Sequence, residues 1–290
     1  MEPRLRLRKR LRKRAKPLLG TIVEISIPSD DESAFVAATD AAFARIESIH
    51  RAMSFHESTS DLTAIANAMP GATISVSPDT WATLSLALEI EAISNGVFNP
   101  TIAPALVQRG ILPPPVTSEF PALSASLAES ILLQTEHHIQ ILKRVWIDLG
   151  GIAKGYAVDE AVATLMAHGV AAGVVNAGGD LRVFGDLEHT VAVRLPSNPA
   201  MVLPIATLTN LSCATTAMYF ANAETIVGIR DVAAQKYQSV SVIAQSCAVA
   251  DALTKIIWLK DASSAEVVAA LAHFSAHVAL FNRDGQLIRQ

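Results

Sequence analysis

Aromatic residues are scarce, at 5% of the 290-residue chain, so an interior drawn from a 51% hydrophobic total must be built mainly of Ala, Val, Ile and Leu. Cysteine is nearly absent. Cys213 and Cys247 stand alone, without the spacing of a zinc site or a redox pair. Two cysteines exclude a disulfide scaffold and read as buried free thiols. No apolar run approaches the ~20 residues that a membrane-spanning helix needs. The dinucleotide fingerprint G-x-G-x-x-G is missing, and a phosphate loop of the G-x-x-x-x-G-K-[ST] type is excluded because Lys154 is followed by Gly155. No internal repeat is evident, and the length suits one large domain or two small ones.

Basic charge is also scarce beyond the first residues. Positions 4 to 16 hold nine of the 23 Lys and Arg, which leaves 14 basic residues against 26 acidic ones from residue 17 onward, a net of −12. A body so acidic does not fit a nucleic-acid binder. Residues 1–16 read as a basic, disordered, solvated arm ahead of a domain spanning 17–290. Contact with anionic lipid or nucleic acid is a second reading of this head. An export signal is a third, but Pro17 to Ile27 carries Pro17, Gly20, Thr21, Glu24 and Ser26, which leaves no apolar signal core. The expected compartment on that ground is the cytoplasm.

What is present centres on Ile147 to Gly185. Two glycine-rich turns, Asp148-Leu149-Gly150-Gly151-Ile152-Ala153-Lys154-Gly155 and Asn176-Ala177-Gly178-Gly179-Asp180, bracket an amphipathic run. Between them Val158, Ala161, Val162, Leu165 and Met166 repeat at helical spacing, and Gly169 stands where a helix C-terminus wants it. The pattern predicts turn, helix, then a strand pair. Paired glycines admit a close approach of backbone to ligand, and a helix N-terminus favours an anion. A phosphate or pyrophosphate is the ligand this stretch expects; a tight turn with no ligand is the plainer reading.

Around it, Gly20 to Ile27 alternates as a strand. Phe35 to Met53 repeats as a helix with Ser33 as its cap, and Ser60 or Asp61 caps a short helix. Ser77-Pro78 opens a helix that stops at Asn95-Gly96. Pro100 and Pro104 predict an irregular segment, and residues 110 to 130 a surface excursion. His56 and Glu57 read as solvated, and His137-His138, on opposite strand faces, as a poor metal clamp. Val191 to Leu195, Leu203 to Leu208 and Ser239 to Ala244 read as strands, and Leu211 to Phe220 has a polar Thr215-Thr216 core. Ala248 to Lys260 and Ala262 to Phe274 read as helices before a C-terminal hairpin.

Taken in order, several of these pieces resemble the FAD:protein FMN transferase (ApbE-like) family. They are Leu18-Leu19-Gly20-Thr21, Met53-Ser54-Phe55 with Ser60-Asp61-Leu62, Gly96-Val97-Phe98-Asn99-Pro100-Thr101, Asp148 to Asp159, Val175 to Leu181, and Ala250-Asp251-Ala252-Leu253-Thr254. The pairing of DLGGIAKGYAVD with NAGGD is the specific part. The resemblance implies an α+β, T-fold-like single domain with mixed sheets and flanking helices. It implies FAD in a cleft, Mg²⁺ at the pyrophosphate, and transfer of FMN to a Ser or Thr hydroxyl of a target flavoprotein with release of AMP. Met53, Ser54, Val97, Phe98, Asn99, Gly150, Lys154 and Tyr156 then fall at flavin-contacting positions. The Ala153 carbonyl and Asp251 fall at metal positions, and Thr254, three residues after Asp251 and so on the same face of a helix, offers a hydroxyl beside them as a third metal candidate. The resemblance also admits a periplasmic location.

The chain departs from the family pattern in places. Asn99 stands where Asp is more usual. The family's metal-ligating Thr lies four residues after the Asp, and here that position is Lys255, with Thr254 one earlier. The segment Gly228 to Gln235 keeps Asp231 but lacks the family His, Pro, Thr and Gly, which makes Asp231 the candidate catalytic base. Two other activities suit the same residues: FAD binding without transfer, and hydrolysis of FAD to FMN and AMP. With no ligand in view, Asp251 reads as the N-cap of the helix near it, and Lys154 as a surface cation.

Overall fold

The computed structural model describes residues 10–115, 119–122, 126–195, 198–217 and 236–289. Its first part holds β1 (Leu11–Leu18), β2 (Thr21–Pro28), α1 (Glu32–Met53), α2 (Asp61–Asn67), β3 (Thr73–Ser75) and α3 (Pro78–Ile93). A 3₁₀ turn (Pro100–Ile102) leads into α4 (Ala103–Gln108), then α5 (Leu127–Ser130), β4 (Ile131–Leu133) and β5 (His138–Ile141). The central part is α6 (Ala153–Ala167), β6 (Gly173–Ala177), β7 (Asp180–Phe184), β8 (His189–Leu195), β9 (Asn198–Leu208) and β10 (Ser212–Ala217). The chain closes with β11 (Tyr237–Ala244), α7 (Cys247–Leu259), α8 (Ala265–His273), β12 (His277–Asn282) and β13 (Leu287–Arg289).

Eight strands form the main sheet in the order β1-β2-β6-β7-β10-β11-β12-β13, beside a three-stranded sheet β3-β5-β4 and the ribbon β8-β9. Where mixed sheets were expected, every described pairing is antiparallel. The two faces of the main sheet bury different cores, because alternate residues of a strand point to opposite sides. Val175, Val240, Val242, Val278 and Leu280 pack with α1, α6 and α7. Val174, Leu181, Val183, Ala279 and Phe281 pack with Val191, Val193, Ile205 and Leu208 of the β8-β9 ribbon. The helices therefore cover one face and the ribbon the other. Both cysteines are buried free thiols. Among the described residues no helix is long and apolar enough to cross a membrane.

Most helix boundaries follow their capping chemistry. Ser60 and Ser77 cap α2 and α3, with Pro78 in the first turn of α3. The cap of α1 is Asp31, not Ser33: its carboxylate accepts from the Ser33 and Ala34 amides. Pro104 does not forbid a regular element, because it sits in the first turn of α4, where no amide proton is needed.

The reading of residues 1–16 as a disordered arm does not hold from Leu11 onward, where the chain forms β1 beside β2. Arg12, Arg14 and Lys16 share one side of the strand and face α1. Arg12 pairs with Glu32, Arg14 lies 2.8 Å from Asp40, and Lys16 lies 4.0 Å from Glu47. The Arg12 guanidinium sits 4.8 Å over the Phe35 ring, and the Lys16 ammonium 5.0 Å over Phe43. Each exposed ion pair contributes little alone. The aliphatic stems add cover for the aromatic face of the helix, so a run that reads as solvated charge makes a strand. Residues 1–9 lie outside the described residues.

Candidate active site

A cleft of about 480 Å³ opens between the main sheet and the glycine turns. Its apolar wall is Val97, Phe98, Ile102, Leu106, Ile111 and Leu112. Its polar floor is Asp148, Gly150, Gly151, Lys154, Asp180, Thr215, Thr216 and Lys255. That size falls in the range of small-molecule sites, roughly 300–1,000 Å³.

Local chemistry holds the turns in place. The Asp148 carboxylate accepts from the Gly150 amide at 3.1 Å, and the Asp148 amide donates to the Pro100 carbonyl at 2.8 Å. The first turn is thereby tied to the segment carrying Val97 and Phe98. Burial pushes the Asp148 carboxyl up. Gly178 and Gly179 are the two central residues of the β6-β7 hairpin, and both have positive φ, which such a turn demands. A Cβ on Gly178 would stand 2.3 Å from Thr21 Oγ1, so this turn and the Leu19-Gly20-Thr21 turn close on each other.

Under the floor lie two carboxylates and two ammoniums. Lys154 pairs with Asp180 and stands 3.5 Å from Asp251; Lys255 stands 2.6 Å from Asp251. Asp251 is fully buried and Asp180 nearly so. Burial pushes the Asp251 carboxyl up, but the charges of Lys154 and Lys255 outweigh it and hold it below the usual carboxylate range. Asp180 goes the other way: burial and then the charge of Asp251 hold it above that range. Burial would strip a proton from Lys154, yet Asp180 and Asp251 prevail and keep its ammonium well above its ordinary pKa. Within this cluster two ammoniums face two carboxylates.

Two helices carry all of this cluster but Asp180, which opens β7, and each caps the other. Asp251 does not cap its own helix; Ser246 does, and Asp251 lies inside α7. Its Oδ2 accepts from the Gly155 amide at 3.3 Å, in the first turn of α6. Asp159 of α6 in turn accepts from the Cys247 and Ala248 amides at 3.0 Å and the Ser246 hydroxyl at 2.8 Å, at the start of α7. Each carboxylate meets free amides and the positive dipole end of the opposite helix. The anion expected at the α6 N-terminus is thus partly supplied by the protein itself. We predict that Asp159→Ala lowers stability by about 2 kcal/mol, because it leaves the Cys247 and Ala248 amides at the start of α7 without their acceptor and strips Arg182 of its partner 2.6 Å away. Urea unfolding would measure this, and an unchanged midpoint would refute it.

Two of the three residues expected to hold Mg²⁺, Asp251 and Thr254, already turn their oxygens to an ammonium. Lys255 Nζ contacts Asp251 Oδ1, Thr254 Oγ1 and Thr216 Oγ1. Mg²⁺ requires near-ideal octahedral oxygen geometry and releases its waters reluctantly. A dication among these oxygens would also meet Lys255 and Lys154 at like charge. Among the described residues no group of three or more His, Cys, Asp or Glu is arranged for a metal. The residues present do not fit the divalent ion.

The ApbE family model matches residues 19–278, most of the chain. The chain belongs to the ApbE family. A curated relative, the FAD:protein FMN transferase of Treponema pallidum (strain Nichols), is 26% identical over 210 residues. That match covers 67% of this chain and 58% of the relative's length. The fold is shared with the ApbE protein of Thermotoga maritima, at a TM-score of 0.76 and 23% identity, covering 97% of each chain. It is shared too with the apo flavinyl transferase ApbE of Pseudomonas stutzeri, at a TM-score of 0.77 and 17% identity, covering 100% of this chain and 97% of that one. The flavin transferase ApbE of Vibrio cholerae matches at a TM-score of 0.77 and 17% identity over 97% of each chain. These likenesses confirm the single α+β domain of the ApbE type.

Of the residues that the ApbE motifs singled out, the cleft brings together Val97, Phe98, Asn99, Gly150 and Lys154. Asp251 and Thr254 lie directly beneath, both fully buried, and Ala153 opens α6 next to Lys154. Met53 and Ser54 are not in the lining: Met53 packs in the main core and Ser54 is the C-cap of α1. Tyr156 is turned away, its hydroxyl donating to Asp79 Oδ1 at 2.9 Å. Two helical residues span about 200° of rotation, so Lys154 and Tyr156 cannot share a face. Asp231 lies outside the described residues. Asp180 of NAGGD has no role in the sequence pattern, and here it pairs with Lys154 in the cleft.

Proposed function

We propose that this ApbE-family chain transfers the FMN half of FAD to a Ser or Thr hydroxyl of a target flavoprotein and releases AMP. The observation that carries the reading is the two-ended cleft: an apolar wall headed by Phe98 at one end, and a paired-lysine floor under glycine turns at the other. The wall suits a flat ring system and the floor suits a pyrophosphate. In the reaction the hydroxyl oxygen forms a bond to the FMN phosphorus and the pyrophosphate bridge breaks. The bonding electrons leave with AMP, and the hydroxyl proton goes to a base. Such a transfer depends on positioning and charge neutralisation more than on covalent help from the protein. Lys154 and Lys255 supply the positive charge, Asp180 and Asp251 position them, and the glycine turns let backbone approach the phosphates. Asp231 is the candidate proton acceptor, on the family resemblance. The Mg²⁺ that the resemblance implies at the pyrophosphate does not fit the residues present, and no step here depends on it.

The test is product analysis after incubation with FAD and candidate acceptor subunits. The expected result is AMP in step with a fluorescent protein adduct that survives denaturation. AMP and FMN without an adduct would make the chain a hydrolase of FAD. Tight FAD binding without AMP would make it a flavin carrier. Either result refutes the proposal.

A further inference from the structure

We propose that the Lys255 ammonium is the resident cation of this site, taking the place of the divalent ion, so that the chain seats the FAD pyrophosphate without Mg²⁺. The inference rests on the FAD reading above. Four oxygens from three residues surround Lys255 Nζ: Asp251 Oδ1 at 2.6 Å, Thr254 Oγ1 at 2.9 Å, Thr216 Oγ1 at 3.1 Å and the Asp251 carbonyl at 3.3 Å. Asp251 falls at a metal position on the resemblance, Thr254 is the hydroxyl offered beside it, and Lys255 itself stands where the family's ligating Thr would be. The third, Thr216, comes from β10 and lines the cleft.

The arrangement is built rather than incidental. Lys255 follows Asp251 by four residues in α7, so both side chains lie on one helix face. Its stem runs beneath the first glycine turn: a Cβ on Gly151 would stand 3.4 Å from Lys255 Cγ and 3.5 Å from the Phe98 ring. Thr216 and Thr254 hydroxyls lie 2.8 Å apart and close the cage from the side. The Lys255 side chain keeps 21% exposure while Asp251 has none, so the lysine is the member that reaches the cleft. Charge leads to the same conclusion. Lys154 and Lys255 set two ammoniums at the cleft, held by Asp180 and Asp251, where a divalent ion would otherwise bring the positive charge. A lysine is a compact point charge that binds phosphate without the coordination geometry a divalent ion demands. Asp251 thereby becomes a positioning residue for Lys255.

Equilibrium FAD binding, followed by flavin fluorescence in EDTA and in millimolar Mg²⁺, tests this directly. Electron paramagnetic resonance of added Mn²⁺ gives a readout independent of activity. Wild-type affinity for FAD is expected to agree within about threefold between the two conditions, with no protein-bound Mn²⁺ signal in the presence of FAD. Lys255→Thr is expected to lose about tenfold or more in affinity in EDTA, to regain it with Mg²⁺, and to bind Mn²⁺ together with FAD. A wild-type affinity that rises more than about threefold with Mg²⁺ overturns the inference and leaves the FAD reading intact. No FAD binding in either condition overturns both. The wild-type comparison decides the matter even if the variant fails to fold.

Discussion

Asp251→Ala is expected to lower the stability of the folded chain by about 3–5 kcal/mol and to cut FMN transfer by about 100-fold or more. The carboxylate is fully buried and neutralises Lys154 and Lys255 together, while also capping α6 through the Gly155 amide. Deleting it leaves two ammoniums against Asp180 alone, and an uncompensated buried charge costs more than the intact cluster contributes. Affinity for FAD should fall less than transfer, because the site gains net positive charge while losing the geometry that aims it. Urea midpoints and AMP release, measured on Asp251→Ala and Asp251→Asn, separate the two effects. Asn keeps the volume and loses the charge, so both variants should fail in transfer. Turnover within threefold of wild type in either would sink the assignment.

A second large effect is expected at a residue with no polar side chain. Gly155 sits where α6 crosses α7, and a Cβ there would stand 2.3 Å from the Cys247 carbonyl oxygen and 2.7 Å from the Ala248 Cα. Both are backbone atoms, so no rotamer can yield. Alanine raises helix propensity by about 1 kcal/mol over glycine, which opposes the clash. Overpacking a rigid crossing costs about 3 kcal/mol or more, so the clash wins and Gly155→Ala is destabilising. It also separates Lys154 from Asp251, because the two helices carry one each. Thermal unfolding and FAD binding should therefore fall together; a variant as stable as wild type would show that the helices can part freely.

Some features of this molecule could be read from the chain alone, and the reason is locality. Ser77-Pro78 marks the start of α3, and the paired glycines of NAGGD mark a hairpin, since each signal acts within a few residues. Lys154 and Phe98 reached the cleft because their motifs carry them there. Features made by distant partners were not legible. The basic run of β1 lies opposite acidic residues of α1 that are 20 or more positions away. Reciprocal capping by Asp159 and Asp251 exists only because α6 and α7 cross at Gly155. Asp251 looks like a helix cap in sequence and is one, but of the other helix. Tyr156 was placed in the cleft by its motif and removed from it by helical rotation.

The outer position of β1 has one more consequence. A sheet that does not close into a barrel presents a row of unpaired amides and carbonyls along its last strand, and a second chain can add itself there. In this chain the last strand on that side, among the described residues, carries Arg12, Lys13, Arg14 and Lys16, with Pro17 near its end. Each of those charges is paired within the chain, Lys13 with Glu24 of β2 and the others with α1, and proline withholds a donor from the ladder. A run that first looks like an arm reaching for partners is, in place, the outer strand of the sheet, with its charges met inside the fold. Without it, β2 and the half-exposed Ile22 would become the open border of the sheet.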